Sequence, residues 1–355
     1  MLTPEARQSL EKQSYIIVGE HSAVKTCGWT KNMLRGEGGC YKFKFYGIRS
    51  HQCMQMTTSI SCANRCSFCW RDYKAPVSKE WSWAIDDPDF IIENSLAAHK
   101  KLLTGFGGNP KVGKYLWEQS HQVGHVALSL TGEPITYPKM SELVQKFHQK
   151  RISTFIVTNA QYPQAIKSLK TCTQLYLSVD APDKDTLKKI DVPLFADFWE
   201  RLLLSLDYCR DKKYRTTIRL TCVKGENMHN PEGYKYLVGR GDPDFIEVKG
   251  YMFVGASRQR LKQENMPTHD EVKEFGLKLA EMMPDYEFAS EHIPSRVILL
   301  AKKKWNKKTW IDYDRFFEQV NVAEGIAYPD NLDAELYTVG TQDVQVGTKD
   351  EMSLD

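Results

Sequence analysis

Three cysteines, Cys62, Cys66 and Cys69, form the run Cys-Ala-Asn-Arg-Cys-Ser-Phe-Cys-Trp. Thiolates at this spacing can bind one face of an iron–sulfur cube, which takes four cysteines when it is fully ligated. Three protein ligands leave one iron open, and an open metal position is typical of a reactive site rather than a structural one. The spacing therefore predicts an iron–sulfur centre that binds a further ligand.

Two other interpretations of this run remain. A structural zinc ion needs four ligands, usually from two paired units, and His51 and Cys53 are the nearest candidates for a fourth. A disulfide framework is not expected in a long chain without secretory context. The iron–sulfur interpretation is favoured over both.

A three-then-two cysteine spacing, with an aromatic residue before the last cysteine, resembles the signature of the radical S-adenosylmethionine (radical-SAM) superfamily. The resemblance implies that the open iron chelates the methionyl amino and carboxylate groups of SAM. An electron from the cluster then splits the sulfonium to give a 5′-deoxyadenosyl radical. Phe68, between two of the ligands, is implied to pack against the adenine.

A second motif is the run Ser-Leu-Thr-Gly-Glu-Pro, residues 129–134, which includes Thr131, Gly132 and Glu133. It resembles the GGEP segment of radical-SAM enzymes, with Thr in place of the first Gly. There the backbone and the glutamate carboxylate hold the SAM ammonium. The alternative is a turn that begins a helix, with Glu133 near the helix N-terminus.

The elements that must position these residues alternate between short β-rich runs and helical patterns. Six βα units predict a parallel sheet with right-handed crossovers, fewer than the eight of a closed TIM barrel. We therefore expect an α/β fold, a partial (β/α)6 barrel, which the cysteine motif also implies. The predicted strands are 56–60, 125–130, 152–158, 174–179, 217–221 and 244–248, and the predicted helices are 89–103, 139–150, 162–170, 195–210, 231–238 and 269–282.

The expected domains are an N-terminal extension (1–55), the barrel (56–303) and a C-terminal extension (304–355) with a frayed end from Gly340. Chemistry in parallel α/β folds gathers at the C-terminal ends of strands. Asn159, Ser178 and Asp180 follow predicted strands and are candidates for the SAM ribose or carboxylate. Each could equally be a helix N-cap. The resemblance also implies that backbone near Val248 pairs with the adenine.

Upstream lie Cys27, Cys40 and Cys53, separated by twelve residues in each interval. Buried free thiols are the alternative interpretation. The segment has little apolar material for a core, and Cys53 lies only a few residues before the first cysteine run. We therefore expect a second cluster nearby, again with one open iron. Three further cysteines, at 172, 209 and 222, are expected to lie apart in the core.

Together with the segment 247–255, Glu-Val-Lys-Gly-Tyr-Met-Phe-Val-Gly, these motifs resemble the radical-SAM tRNA 4-demethylwyosine synthases. The resemblance implies two [4Fe–4S] clusters, SAM, pyruvate, and N1-methylguanosine at position 37 of tRNA(Phe). It implies that the second cluster holds pyruvate, and that Lys42 forms a Schiff base with it, as a lysine of lowered pKa can. A solvated charge is the alternative for Lys42.

RNA contacts are expected from two basic runs, one with Arg258, Arg260 and Lys262, the other with Lys302, Lys303 and Lys304. Such clusters bind phosphates, although a charge run is often only a solvated face.

The 355-residue chain has a formal charge of +3 and a pI near 8.2, which permits a nucleic-acid partner without requiring one. No signal peptide or membrane-spanning run is found, and nine cysteines favour a reducing compartment, the cytoplasm. We expect a monomer of the shorter archaeal form, without a flavodoxin-like domain and reduced by a separate flavodoxin or ferredoxin. The rival functions are a radical-SAM enzyme acting on a peptide or small molecule and a non-catalytic, zinc-dependent RNA-binding protein.

Overall fold

A curved sheet of ten strands forms the centre of the computed structural model, which describes residues 2–72, 75–320 and 332–342. The strands are β1 (Ile16–Val18), β2 (Ser22–Val24), β3 (Cys53–Thr57), β4 (His125–Leu128), β5 (Ser153–Thr158), β6 (Gln174–Ser178), β7 (Arg215–Cys222), β8 (Phe245–Gly250), β9 (Tyr286–His292) and β10 (Val297–Lys302). Their order is β1-β2-β3-β4-β5-β6-β7-β8-β10-β9, and β3 to β8 are parallel. The prediction of a partial six-unit barrel is confirmed.

Helices connect the parallel strands and cover the outer face of the sheet. They are α1 (Pro4–Lys12), α2 (Gly28–Leu34), α3 (Tyr41–Tyr46), α4 (Pro88–Leu103), α5 (Lys114–Gln119), α6 (Met140–Gln149), α7 (Pro163–Ser168), α8 (Lys184–Asp191), α9 (Phe198–Arg210), α10 (Pro231–Gly241), α11 (His269–Met282) and α12 (Tyr313–Val320). The predicted bounds of α11 are confirmed. The helix begins after a capping box formed by Thr268 and Glu271. Helix α8 was not predicted from the sequence. None of the helices in the described part of the chain is long and apolar enough to span a membrane.

The N-terminal segment belongs to the sheet. β1 and β2 extend it antiparallel from β3, and the predicted domain boundary at 55/56 falls inside β3. The expectation of little apolar material is wrong, because Met33, Phe45 and Tyr46 are fully buried. The Tyr46 ring of α3 lies 5.8 Å from that of Phe245, the first residue of β8. Helix α3 therefore closes the end of the barrel where the parallel strands begin.

The C-terminal part has more structure than expected. β9 and β10 form an antiparallel hairpin on β8, and β11 (Trp310–Ile311) pairs with β12 (Thr338–Val339). The end expected to fray lies mostly in residues 343–355, outside the described residues.

Arg215, at the start of β7, joins this C-terminal part to the sheet. Its buried guanidinium donates to the Thr309 carbonyl at 2.6 Å, to Thr338 Oγ1 at 2.7 Å and to Gln174 Oε1 at 3.0 Å. A buried cation without such partners would be costly. These bonds therefore hold residues 309 and 338 against the N-terminal end of the barrel.

We predict that Arg215→Met lowers the free energy of unfolding by about 3 kcal/mol, because three buried acceptors lose a charged donor. Arg210→Met is the matched control, since that exposed guanidinium donates to the Gly239 carbonyl at the surface; its effect should stay within about 0.5 kcal/mol. Denaturant unfolding of the two variants provides the comparison. Equal losses of stability would contradict this role.

Candidate active site

Both cysteine trios line one cavity in the lumen of the barrel. Its volume is about 480 Å³, and its walls include Cys27, Cys40, Cys53, Cys62, Cys66 and Cys69. This volume lies within the usual range for small-molecule and cofactor sites. By contrast, the cysteines at 172, 209 and 222 are buried in the core and are absent from the lining, as expected. The expectation that all three lie apart is wrong for one pair, because Cys209 is close enough to Cys172 to affect its pKa.

The two trios lie at opposite ends of this lumen. Cys53 is the first residue of β3, and Cys62 begins the loop that follows the other end of the strand. Four residue steps along β3 span about 13 Å, at about 3.3 Å a step. Cys27 and Cys40, which immediately precede α2 and α3, come to the Cys53 end. Both trios therefore line the same lumen, but the extended residues of β3 keep them about one strand length apart.

Within each trio the thiols are close enough to affect one another's ionisation. The pKa of Cys53 is raised to about 12, mainly by burial, and the neighbouring Cys27 and Cys40 contribute to this rise. Burial likewise raises the pKa of Cys62 to about 11, with a smaller contribution from Cys69. Bound metal reverses this tendency, because a coordinated thiol loses its proton.

A cubane fits this spacing better than a single ion does. In the described part of the chain, no three His, Cys, Asp or Glu side chains converge closely enough to hold one metal ion. A cubane binds each cysteine through a different iron, so its ligands stand farther apart. His51, the other candidate zinc ligand, is bonded to Gln119 Oε1 at 2.9 Å and does not line the cavity.

Two arginines fix the loop that carries Cys62, Cys66 and Cys69. Arg71 donates to the Ile60 and Asn64 carbonyls at 3.3 and 3.1 Å. Arg260 donates to the Ser67 carbonyl at 2.9 Å and also to the Cys69 carbonyl. The prediction that Arg260 contacts RNA is therefore corrected: its guanidinium is used in holding the cysteine loop.

The segment with Thr131, Gly132 and Glu133 is locked against this same loop. A Cβ on Gly132 would stand 1.8 Å from the Ser59 carbonyl oxygen, and the residue has a φ of +70°. The Glu133 amide donates to the Ser61 carbonyl at 2.8 Å. Only glycine suits both the contact and the dihedral angle. All three residues line the cavity, as predicted.

Glu133 presents a carboxylate suited to a cationic ligand. One oxygen accepts from the Asn159 amide at 2.8 Å, and the other is buried without a hydrogen-bond partner among the described residues. Burial raises the pKa of this carboxyl to about 7. A buried acceptor without a hydrogen-bond donor is energetically costly. An amino group in the cavity would supply that donor. Glu133 also directly precedes a short 3₁₀ helix, Pro134–Thr136, so the helix-start interpretation is met by one turn and does not exclude the cavity role.

Phe68, Asn159, Ser178 and Asp180 line the cavity beside Glu133. The Asn159 side chain donates to Cys62 Sγ at 3.4 Å, and Asp180 Oδ1 accepts from the Thr221 amide at 3.1 Å. None of the three polar residues is a helix N-cap, because α7 and α8 begin later, after Tyr162 and Asp183.

The prediction that backbone near Val248 pairs with the adenine is wrong. Val248 is fully buried, its side chain faces Gly276 of α11 on the outside of the barrel, and its backbone is paired on both sides within the sheet. Successive side chains of a strand alternate between faces. Its neighbour Lys249 therefore faces the cavity instead.

Lys42 lies inside the cavity, so its interpretation as a solvated charge is wrong. Its Nζ stands 4.1 Å from the centre of the Tyr176 ring. Burial lowers the pKa of Lys42, and the nearby Arg219 lowers it further, whereas Glu247 opposes the shift. An amine with a lowered pKa is a better nucleophile at neutral pH.

A second lysine in the cavity was missed. Lys249 Nζ donates to the Ser295 carbonyl at 3.0 Å, and burial together with Arg219 lowers its pKa to about 8. Glu247 is the counter-charge and accepts from the Tyr41 and Tyr46 hydroxyls at 3.1 and 2.8 Å. The alternation Glu247, Val248, Lys249 within an apolar strand was the available signal for the inward-facing pair.

The two basic runs lie in different places. Arg258 and Lys262 are exposed on the segment that follows β8. Lys302 is the last residue of β10, and Lys303 and Lys304 follow it. Because β10 is antiparallel to β8, these lysines lie at the opposite end of the barrel from the Cys62 loop. There Lys302 pairs with Asp242 at 2.8 Å, and Lys304 lies 3.6 Å from both Asp244 and Glu335. The structure thus does not bring these three lysines to the Cys62 end of the cavity.

Comparisons with known proteins match most of the chain. The family model of the radical SAM superfamily matches residues 56–235, and that of wyosine base formation matches residues 240–302. Curated relatives include the tRNA 4-demethylwyosine synthases of Pongo abelii, 47% identical over 96% of this chain, and of rice, 50% identical over 90%. The chain spans about half the length of these relatives, 47% and 50%.

Two solved structures are similar over most of their own length. One, described as TYW1 with a lysine–pyruvate adduct bound, has a TM-score of 0.78 and 37% identity, covering 88% of this chain and 99% of that one. The other, an archaeal TYW1, has a TM-score of 0.70 and 34% identity, covering 86% and 98%. On this similarity in sequence, fold and extent, the chain belongs to the radical-SAM superfamily and, within it, to the family of TYW1 tRNA 4-demethylwyosine synthases.

Proposed function

We propose that the protein is a SAM-dependent tRNA 4-demethylwyosine synthase, which condenses pyruvate with N1-methylguanosine-37 of tRNA(Phe). The observation that carries this proposal is the single lumen lined by both cysteine trios and by Lys42. A site with two separate sets of metal ligands can hold two reactants between them. The Pongo abelii and rice relatives bear the name of this activity.

At one end, Cys62, Cys66 and Cys69 would hold a [4Fe–4S] cluster, with SAM beside it. When bound, these groups supply the 5′-deoxyadenosyl radical that removes a hydrogen atom from the N1-methyl group. Glu133 accepts a hydrogen bond from the SAM amino group, since its free buried oxygen faces the cavity. Asn159, Ser178 and Asp180 orient the ribose and carboxylate, and Phe68 packs on the adenine.

At the other end, Cys27, Cys40 and Cys53 would hold a second [4Fe–4S] cluster with pyruvate beside it. The Lys42 amine adds to the carbonyl carbon of pyruvate, and water leaves to give the Schiff base. The adduct named for the similar solved structure joins the same two partners, a lysine and pyruvate. Arg219 and Lys249, which flank Lys42, supply positive charge for the pyruvate carboxylate.

Aromatic and basic residues at the rim suit the approach of an RNA base. Trp29 and Trp70 line the cavity and are partly exposed. Lys25 Nζ stands 5.2 Å from the Trp70 ring. Splayed bases stack on such aromatic side chains, and nearby cations bind phosphates. We include Arg258 and Lys262 in this RNA surface and omit Lys302, Lys303 and Lys304, whose ion pairs lie at the other end of the barrel.

The proposed setting is a cytoplasmic monomer that receives electrons from a separate flavodoxin or ferredoxin. The test is incubation of the protein with SAM, reductant, pyruvate and tRNA containing N1-methylguanosine, followed by nucleoside mass spectrometry. We expect 4-demethylwyosine together with 5′-deoxyadenosine. Deoxyadenosine with an unchanged tRNA would favour a peptide or small-molecule substrate instead.

The two cavity lysines give a direct test of the Schiff base. Trapping with borohydride in the presence of pyruvate should attach one reduced pyruvate unit to the peptide that contains Lys42, and Lys42→Arg should prevent it while SAM cleavage continues. Lys249→Met is the matched control: the adduct still forms, but the KM for pyruvate rises about tenfold with the loss of one charge contact. An adduct on Lys249 would contradict the assignment.

SAM binding should depend on the ionisation of Glu133. The pKa of this carboxyl is about 7, so it is mostly neutral at pH 6 and mostly ionised at pH 8. The affinity for SAM should therefore rise up to about tenfold between these values. Equilibrium binding to the anaerobically reconstituted protein measures this rise. Glu133→Gln should bind weakly and without this pH dependence, whereas an unchanged profile in the variant would eliminate the role.

A further inference from the structure

Helix α3 carries Lys42 and is too short to be stable by itself. It has six residues, Tyr41–Tyr46, and helices shorter than about 12 residues are marginal in water without tertiary contacts. Cys40 immediately precedes it, so this helix presents both the proposed nucleophile and a ligand of the proposed second cluster. The position of the Lys42 amine in the lumen therefore depends on the contacts that fix the helix.

The last carbonyl groups of α3 need hydrogen-bond donors, because no further helical turn supplies them. Three consecutive carbonyls receive these donors from side chains of the C-terminal extension. The pairs are Trp310 Nε1 to the Lys44 carbonyl at 2.9 Å, Thr309 Oγ1 to the Phe45 carbonyl at 2.6 Å and Tyr313 Oη to the Tyr46 carbonyl at 3.2 Å. One short segment thus caps the whole C-terminal end of the helix.

The packing of Trp310 supports this cap. Its buried ring lies 5.6 Å from the ring of Phe43, on α3 itself. Gly47, which ends the helix, has a φ of +73°, and a Cβ there would stand 3.0 Å from the Trp310 ring. Glycine suits both this dihedral angle and this close approach. The turn after α3 therefore leaves room for the tryptophan ring against the helix end.

Helix α3 is fixed on its other side by the barrel wall. Glu247 of β8 accepts from two tyrosine hydroxyls of the helix, at 3.1 and 2.8 Å. The capping segment is itself fixed, because the Thr309 carbonyl accepts from the buried Arg215 of β7 at 2.6 Å. The helix that bears Lys42 is therefore held between the sheet and the C-terminal extension.

We infer that Thr309, Trp310 and Tyr313 are positioning residues for the formation of the Schiff base. The inference rests on the proposed function, in which the Lys42 amine adds to the carbonyl carbon of pyruvate and the carbonyl oxygen leaves as water with the two amine protons. None of the three residues lines the lumen, so they act only through α3. A reacting group displaced by about 1 Å can lose up to about a hundredfold in rate.

Two substitutions at residue 309 separate hydrogen bonding from packing. Thr309→Val keeps the shape of the side chain and removes the donor, whereas Thr309→Ser keeps the hydroxyl and removes a methyl group. At saturating pyruvate, the rate of formation of the borohydride-trapped adduct on Lys42 should fall about tenfold in Thr309→Val and stay near that of the parent protein in Thr309→Ser. The pyruvate concentration at half-saturation should change little in either variant, since Arg219 and Lys249 remain in place.

Trp310→Phe and Trp305→Phe form a matched pair of controls. Both tryptophans are buried in the C-terminal part, but Trp310 Nε1 caps α3, whereas Trp305 Nε1 has no hydrogen-bond partner among the described residues. Trp310→Phe should slow adduct formation and speed hydrogen exchange of the α3 amides, and Trp305→Phe should do neither. SAM cleavage in the absence of pyruvate and tRNA should equal that of the parent protein in every variant, because the Cys62 loop lies at the other end of the lumen.

Two results would overturn the inference. One is an equal rate of adduct formation in Thr309→Val and Thr309→Ser; the other is an equal loss of rate in Trp310→Phe and Trp305→Phe. Tyr313→Phe, which removes only a hydroxyl, gives the comparison with the parent protein if Thr309→Val does not fold. Failure of the proposed function would show differently, as the absence of any adduct on Lys42 in the parent protein, while hydrogen exchange of α3 still differs between Thr309→Val and Thr309→Ser.

Discussion

The extension of β3 is the constraint on which the rest of the site depends. A parallel strand with a cysteine at its first residue and a cysteine loop after its last separates the two cysteine trios by its own length, about 13 Å. Helix α3 closes the lower end of the lumen, where the parallel strands begin. The loop held by Arg71 and Arg260 closes the upper end, where these strands finish. The lumen between them is long enough for two reactants to meet, each held at its own end.

The titratable side chains inside the lumen are also divided between its two ends. The upper end carries Glu133 and Asp180, two carboxyls whose pKa values are raised by burial, to about 7 and about 6. The lower end carries Lys42 and Lys249, whose pKa values burial lowers. Buried groups shifted in this direction lack sufficient partners of opposite charge. An amino group at the upper end and a carboxylate at the lower end would complete them.

The sequence predicted most of the sheet and part of the site, for physical reasons that differ residue by residue. The six parallel strands and the cysteine motif were found because apolar runs and close ligand spacing are local signals. The backbone of Val248 was assigned to the adenine wrongly, since it is paired with strands on both sides, which a single strand's sequence does not reveal. Arg260 was misassigned, because its carbonyl partners, Ser67 and Cys69, lie almost two hundred residues away. The local sequence of a basic run does not reveal contacts of that kind.

An iron anomalous-difference map from anaerobically grown crystals would show whether the two cysteine trios hold separate clusters. We expect about eight irons per chain, as two cubanes with three cysteines each. One should lie at Cys62, Cys66 and Cys69, and the other at Cys27, Cys40 and Cys53, on the order of 10 Å or more apart along β3. A single iron site, or two adjoining sites at one end of the lumen, would contradict this expectation.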